Sequence, residues 1–171
     1  MGRGRKRLKS NTNQQLETIH KFQQVSWEGI TLSDKSALKD FIMSNPDVTN
    51  QVVRGIVVSE NTLNKWIENG EINNYNMSSW TTGNSASAFA NVDRVVDAED
   101  GKRSVILVSS NGMPNSAKLP RTNAYKEDEV LTTTTKFKIL NYRKQQPYIG
   151  SNNKSPYEMI IFVEPISKRK Y

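Results

Sequence analysis

Residues 123–140 read NAYKEDEVLTTTTKFKIL, and this stretch carries the strongest indication of the fold. An acidic triplet leads into two predicted strands, roughly 128–132 and 135–143, joined by a turn. In an extended backbone Glu127 and Glu129 point the same way, about 7 Å apart. Two carboxylates on one face can divide the work of a single site. Taken alone, however, such a triplet is more often an acidic turn exposed to solvent.

Two earlier segments carry residues that are unusual for their surroundings. The apolar stretch VVRGIVV (52–58) reads as a buried strand, and a charged Arg54 in its middle is costly unless it is paired. Gly55 beside it lets another group approach the backbone closely. Taken alone, Arg54 favours an edge strand with a structural salt bridge. The second segment, SSWTT (78–82), places the Ser79 and Thr81 hydroxyls at a strand end, which by itself is a weak signal.

The remaining pattern predicts helices first and strands afterwards. Helices are expected within 13–25, 33–45, 60–70 and 84–92, with Ser33-Asp34 capping the second and Ser59 and Gly70 bounding the third. Further strands are expected within 51–59, 72–81, 103–110 and 157–165, and residues 111–128 read as a long turn-rich loop. Strands grouped after helices, without βαβ alternation, predict an α+β fold with two packed, mostly antiparallel sheets.

Composition limits the classes of protein that this chain can be. Its 171 residues predict one domain over 13–166, with a basic arm at 1–12 and a basic tail at 167–171. The absence of cysteine excludes a disulfide scaffold and a thiol nucleophile, and the single histidine, His20, disfavours a histidine triad or a multi-histidine metal site. No apolar run is long enough to cross a bilayer and no signal peptide is read, so we expect a cytoplasmic protein without a membrane partner.

The net charge of +7 comes from the two ends of the chain. Residues 10–167 hold 16 basic and 17 acidic residues, so the body is nearly neutral. The head reads either as a solvated tail or as an arm that binds nucleic acid or another anionic partner. The residues that would make such contacts are Arg3, Arg5, Lys6, Arg7 and Lys9.

In their order along the chain, Arg54, Ser79 and Glu129 resemble the arginine–serine–glutamate class of mono-ADP-ribosyltransferases. Members of this family carry an arginine on the first core strand, a Ser-Thr-Ser-like element on the next, and a Glu/Gln-x-Glu motif at a loop-to-strand junction. VVRGI, MSSWTT and YKEDEVL supply these pieces, and the chain looks most like binary-toxin and bacteriophage-encoded transferase domains. The resemblance covers roughly residues 50–165. It departs at the middle element, where Trp80 and Thr81 replace the usual Thr and Ser, and Trp80 should be a core residue on the opposite face.

The resemblance implies cleavage of the nicotinamide–ribose bond of NAD, used as a co-substrate without a metal, and transfer of ADP-ribose to an acceptor. Glu129 would stabilise the positive charge that develops on the ribose. Glu127 would orient an incoming guanidinium and take its proton, which predicts arginine of a target protein as the acceptor. Arg54 would hold the NAD diphosphate.

The same resemblance gives roles to further residues of the motifs and their flanks. Gly55 would offer backbone groups to the nicotinamide amide, and Ser79 would hydrogen-bond Glu129, with the Thr81 hydroxyl retained nearby. Phe89, ten residues after Ser79, would pack on nicotinamide or else be a helix core residue. Tyr125 would be the loop aromatic that recognises the acceptor, although the family usually places that aromatic one position earlier.

Other functions remain open from the sequence. The same chemistry could act on nucleic acid that is bound by the basic head. The chain could instead be a catalytically silent phage structural or binding protein with this fold, or a plain nucleic-acid-binding domain that relies on its tails. The intact set of Arg54, Ser79, Glu127 and Glu129 favours the enzyme over these alternatives.

Overall fold

The computed structural model describes residues 15, 17–19, 31–74, 77–82, 102–120, 128–144 and 159–166. The elements in this part of the chain confirm an α+β fold. Residues 15 and 17–19 are helical. The bounds of the other elements are α1 (Leu32–Ser44), β1 (Val52–Ser59), α2 (Glu60–Asn69), β2 (Glu71–Asn73), β3 (Ser78–Thr81), β4 (Lys102–Ser109), β5 (Ser116–Lys118), β6 (Glu129–Thr132), β7 (Lys136–Lys144) and β8 (Met159–Pro165).

Local side-chain chemistry sets the ends of α1 and α2. The cap of α1 is Thr31 instead of the predicted Ser33-Asp34, because Thr31 and Asp34 form a reciprocal capping box that satisfies both backbone amides. Ser59 caps α2 as predicted, accepting from the Thr62 amide at 3.1 Å. Gly70 then ends α2 in the left-handed conformation at φ 69°.

The strands follow the order β2-β7-β8-β4-β1-β3-β6-β5. Six of the seven strand pairs among the described residues are antiparallel, and only β4 and β8 run parallel. Strand β1 pairs with β4 over its full length but with β3 only at Val53 and Thr81. This single pair joins a five-strand half (β2-β7-β8-β4-β1) to a three-strand half (β3-β6-β5). All eight strands therefore belong to one mostly antiparallel sheet, with two halves in place of the two separate sheets that the sequence predicted.

The two halves share one apolar core. Trp80 and Val130 of the three-strand half pack with Phe137 and Ile161 of the five-strand half, and Leu63 of α2 joins them. A second cluster lies on the other face of the three-strand half, where Leu38, Phe41 and Ile42 of α1 cover β5 and β6 together with Ile19. Trp80 is therefore a core residue, as its position predicted, with 2% of its surface exposed.

Two features of the strands differ from the simplest reading of the sequence. The region 111–128, expected as a loop, contains the short strand β5, which pairs with β6. Strands β6 and β7 are consecutive but lie in different halves, so the turn between them does not close a hairpin. Within the described residues no helix is long and apolar enough to span a bilayer.

Candidate active site

Arg54, Ser79 and Glu129 come together where the two halves of the sheet separate. Arg54 lies in β1, Ser79 in β3 and Glu129 at the start of β6. The Ser79 hydroxyl donates to Oε2 of Glu129 at 2.5 Å, and Nη1 of Arg54 donates to the Ser79 carbonyl at 3.4 Å. Ser79 thus contacts both of the other residues, one through its side chain and one through its backbone.

The register of β3 and β6 explains why the hydroxyl meets the carboxylate. Thr81 pairs with Glu129 and Ser79 with Leu131, so the side chains of Ser79 and Glu129 are diagonal neighbours on one face of the three-strand half. A hydrogen bond from a hydroxyl to a charged carboxylate is among the stronger kinds in proteins. It fixes the direction of a carboxylate that is otherwise partly exposed.

The position of Arg54 follows from the break in the ladder between β1 and β3. The Thr82 amide donates to the Asp128 carbonyl, and so points toward β6. Because backbone groups alternate in direction along a strand, those of Ser79, three residues away, point toward β1. The paired register ends at Val53–Thr81, and the next position would have placed Gly55 opposite Ser79. In place of a β1 backbone group, the Arg54 guanidinium reaches the Ser79 carbonyl through the opening.

Among the described residues, no acidic side chain compensates the charge of Arg54. Burial lowers the pKa of its guanidinium, although arginine remains protonated at neutral pH. Within the described residues its only hydrogen bond is the 3.4 Å contact with Ser79, and no carboxylate lies within salt-bridge distance. The edge-strand arginine in a salt bridge, favoured by the strand sequence alone, is therefore not what this part of the structure shows. Strand β1 is interior to the sheet order.

A cavity of 210 Å³ lies beside Arg54 on the core side of β1. Its walls come from separate segments of the chain, and they include Trp66, Asn73, Asn74, Ser78, Trp80 and Phe137. The aromatic walls suit a flat ring, and the two asparagine amides suit polar ring atoms. The sequence predicted Trp80 only as a core residue and held no sign of the asparagines, because no local pattern links these segments.

Thr81 and Gly55 are the other predicted site residues within the described part of the chain, and both lie close to this opening. Thr81 is opposite Glu129 in the ladder and is 6% exposed. Gly55 pairs with Ile106 of β4 on its other side. Asp128 contacts Lys118 at 3.5 Å, on the opposite face of β6 from Glu129. Its side chain is therefore directed away from the Ser79–Glu129 pair.

Several predicted residues lie outside the described part of the chain. These are the second carboxylate Glu127, the aromatics Phe89 and Tyr125, and the basic residues of the head, Arg3, Arg5, Lys6, Arg7 and Lys9. Within the described segments, no three side chains of histidine, aspartate or glutamate stand close enough to hold a metal ion.

Comparison with known proteins identifies the fold. No family model matches the sequence, and neither does any curated protein. Among solved structures, the chain is similar to the Vis toxin, an ADP-ribosyltransferase from Vibrio splendidus, with a TM-score of 0.65 at 17% identity over 92% of this chain and 75% of that one. It is also similar to the enzymatic component C2-I of the Clostridium botulinum C2 toxin, with a TM-score of 0.63 at 15% identity over 94% of this chain.

A third similar structure is the C3larvin toxin, an ADP-ribosyltransferase from Paenibacillus larvae, with a TM-score of 0.51 at 14% identity over 91% of this chain and 88% of that one. The chain spans 44% of the length of C2-I. At these identities the likeness concerns the fold: the chain has the fold of bacterial mono-ADP-ribosyltransferase toxins, as the resemblance of its motifs implied.

Proposed function

We propose that this protein is a mono-ADP-ribosyltransferase that uses NAD as its co-substrate and releases nicotinamide. The observation that carries the proposal is the convergence of Arg54, Ser79 and Glu129 on the opening between β1 and β3. A guanidinium without an acidic partner among the described residues is suited to a diphosphate, and a carboxylate held by a hydroxyl is suited to a developing positive charge. The fold shared with transferase toxins supports the same reading.

The residues around the opening fit NAD as a substrate. The Arg54 guanidinium provides charge-assisted hydrogen bonds for the diphosphate, which would also offset the burial of its charge. The neighbouring cavity has room for one ring system of the dinucleotide. Gly55 and Thr81 border the same opening, and we assign them to contacts with the bound dinucleotide. Phe89 is assigned to nicotinamide by the family pattern.

Glu129 would act on the bond between nicotinamide and the ribose. As that bond breaks, its electron pair leaves with nicotinamide and positive charge develops on the ribose ring. The ionised Glu129 stabilises this charge, and the hydrogen bond from Ser79 keeps the carboxylate aimed at the sugar. Removing one such fixed electrostatic group typically lowers kcat by about 10²–10³-fold.

For the acceptor we propose arginine of a target protein. A nitrogen of the guanidinium attacks the ribose carbon that nicotinamide leaves, and Glu127 takes the proton that this nitrogen loses. The support is the Glu-x-Glu pattern of residues 127–129, together with a structure of the Vis toxin in complex with agmatine, a small guanidine. Tyr125 would contact the incoming acceptor.

The basic head supports a second acceptor within the same chemistry, namely nucleic acid held by Arg3, Arg5, Lys6, Arg7 and Lys9. Incubation of the protein with labelled NAD and either agmatine, arginine-rich protein or RNA tests both versions. The proposal expects nicotinamide and an ADP-ribosylated guanidine in equal amounts. Label on RNA alone would overturn the arginine acceptor. Without any release of nicotinamide, the proposed activity itself would be wrong.

A further inference from the structure

Trp80 stands where the ADP-ribosyltransferase pattern has the Thr of its Ser-Thr-Ser element. Its side chain is buried and has two defined contacts. The side chain is 2% exposed, and its indole N–H donates to the hydroxyl of Ser78 at 2.8 Å. Ser78 is itself 1% exposed. The indole ring lies 5.4 Å from the ring of Phe137, with 38° between the ring planes. The hydrogen bond and the ring contact both help to orient this large ring in the core.

The contact between Trp80 and Phe137 joins the two halves of the sheet beside the proposed site. Trp80 belongs to the three-strand half and Phe137 to the five-strand half. The backbone provides only the Val53–Thr81 pair between β1 and β3, so the ladder does not fix β3 against β1 at Ser79. The packing of Trp80 on Phe137 is a side-chain contact, one residue from Ser79, that ties β3 to the opposite half.

The proposed chemistry depends on the position of β3, because this strand carries Ser79. In that strand Ser79 lies between Ser78 and Trp80. Ser79 contacts Glu129 within its own half and Arg54 across the opening. A shift of β3 would therefore move the carboxylate relative to a dinucleotide whose diphosphate is held by Arg54. A displacement of about 1 Å in an active site can lower the rate about 100-fold.

We infer that Trp80 is a positioning residue: its indole, oriented by Ser78 and packed on Phe137, holds β3 so that Ser79 and Glu129 face the substrate ribose. The inference rests on the proposed function. It predicts that disturbing Trp80 lowers kcat for nicotinamide release much more than it weakens binding of the diphosphate. A purely structural core residue would lower thermal stability without separating these two quantities.

The test uses the full chain and four variants. Trp80→Phe keeps an aromatic ring without its N–H, Ser78→Ala removes the acceptor, and the double variant removes both partners, which avoids a stranded indole N–H. Phe162→Leu, in β8 on the other face of the five-strand half, is the matched loss of apolar packing. For each variant we would measure Tm, kcat and KM for NAD, and the inhibition constant of ADP. ADP carries the diphosphate without the nicotinamide ribose.

We expect Trp80→Phe and Ser78→Ala each to lower kcat by about 10- to 100-fold while the inhibition constant of ADP changes less than about twofold. The double variant should be no slower than Trp80→Phe, because residues that act through one contact are not additive. Phe162→Leu should lower Tm and leave kcat within about twofold. The indole N–H resonance of Trp80, followed by NMR, should shift in Ser78→Ala and so report the hydrogen bond independently of activity.

The inference would be overturned, and the proposed function left standing, if kcat of Trp80→Phe and Ser78→Ala were near that of the wild type. The same holds if their kcat fell no more than that of Phe162→Leu. A parallel fall of kcat and ADP binding in all variants would also contradict it, since that pattern indicates general loosening. Failure of the proposed function looks different, because the wild-type protein itself would then release no nicotinamide from NAD.

Discussion

The hydroxyl of Ser79 donates a 2.5 Å hydrogen bond to Oε2 of Glu129, although the two residues are 50 positions apart in the chain. The pairing of β3 with β6 brings them together, since Thr81 lies opposite Glu129 and Ser79 is the next residue on the same face. A carboxylate with one oxygen held in this way presents its other oxygen in a defined direction. Ser79 therefore controls the orientation of the group to which we assign the chemistry.

Ser79→Ala should reduce the rate of nicotinamide release without unfolding the protein. A hydrogen bond to a charged group contributes about 1.5–3 kcal/mol, which corresponds to about a 10- to 100-fold fall in kcat if it is used fully in the transition state. Ser79→Thr, which keeps the hydroxyl and suits a strand, is the matched control and should retain most of the activity. Equal kinetics for Ala and wild type would show that the hydrogen bond does not orient Glu129.

Arg54→Met should stabilise the folded protein and weaken NAD binding. Burial lowers the pKa of Arg54, which means that folding disfavours its charged form, and arginine stays protonated at any pH compatible with folding. No practical change of pH therefore relieves this destabilisation, whereas an apolar side chain does. We expect Tm to rise by about 2–4 °C, the size of a 1 kcal/mol change in a domain of this length.

In the same variant, KM for NAD should increase at least about tenfold, because the charge-assisted bonds to the diphosphate are lost. Arg54→Lys is the control that keeps the charge without the planar fork, and it should be intermediate in KM. Thermal unfolding and steady-state kinetics measure the two effects. A lower Tm for Arg54→Met would mean that the guanidinium is already well partnered in the substrate-free protein.

Gly70 and Gly112, which have positive φ within the described part of the chain, should respond differently to substitution by alanine. Gly70 has φ 69° and open space where a Cβ would lie, so Gly70→Ala should cost only the left-handed strain, about 1–2 kcal/mol. Gly112 has φ 89°, and a Cβ there would overlap the carbonyl oxygen of Val48. Because of this overlap, Gly112→Ala should lower the free energy of unfolding by about 1–3 kcal/mol more than Gly70→Ala does. Urea unfolding of the two variants measures this difference. Equal losses of unfolding free energy would contradict the close approach of residues 48 and 112.

Glu127→Gln should separate the two halves of the reaction. Glu129 remains in place, so the nicotinamide–ribose bond of NAD should still be cleaved, with water as the acceptor. Transfer to agmatine should fall by about 10²-fold or more, because the group that accepts the guanidinium proton is lost. Chromatography of nicotinamide and of ADP-ribosylated agmatine in one reaction gives both rates. Unchanged transfer to agmatine would remove Glu127 from the mechanism.

Much of the fold could be predicted because local signals agreed with the final structure. The apolar run of β1, the Ser59 cap and the Gly70 stop each depend on neighbouring residues, and each lies where the sequence placed it. Thr31 was missed as the cap of α1, because Thr31, Ser33 and Asp34 all are good cap residues and only the reciprocal bonds distinguish them. The short strand β5 was missed because three residues of ordinary composition become a strand only when β6 pairs with them.

The sequence indicated candidate residues for the site but not how they are arranged. The order of Arg54, Ser79 and Glu129 along the chain indicated one family, but the single Val53–Thr81 pair that opens the sheet beside them has no signature in the sequence. The same holds for Trp80, whose spacing from Ser79 predicts only the face on which it lies. Its contacts with Ser78 and Phe137 depend on how two distant segments pack.

The most direct test of the account measures nicotinamide released from NAD by the wild-type protein and by Glu129→Gln under identical conditions. The amide keeps the size of the side chain and can still accept from Ser79, so the variant isolates the negative charge. We predict steady release by the wild type, at least about 100-fold slower release by Glu129→Gln, and the same Tm for both. Equal rates for the two proteins, or no release by either, would contradict the central claim that Glu129 stabilises the charge on the ribose.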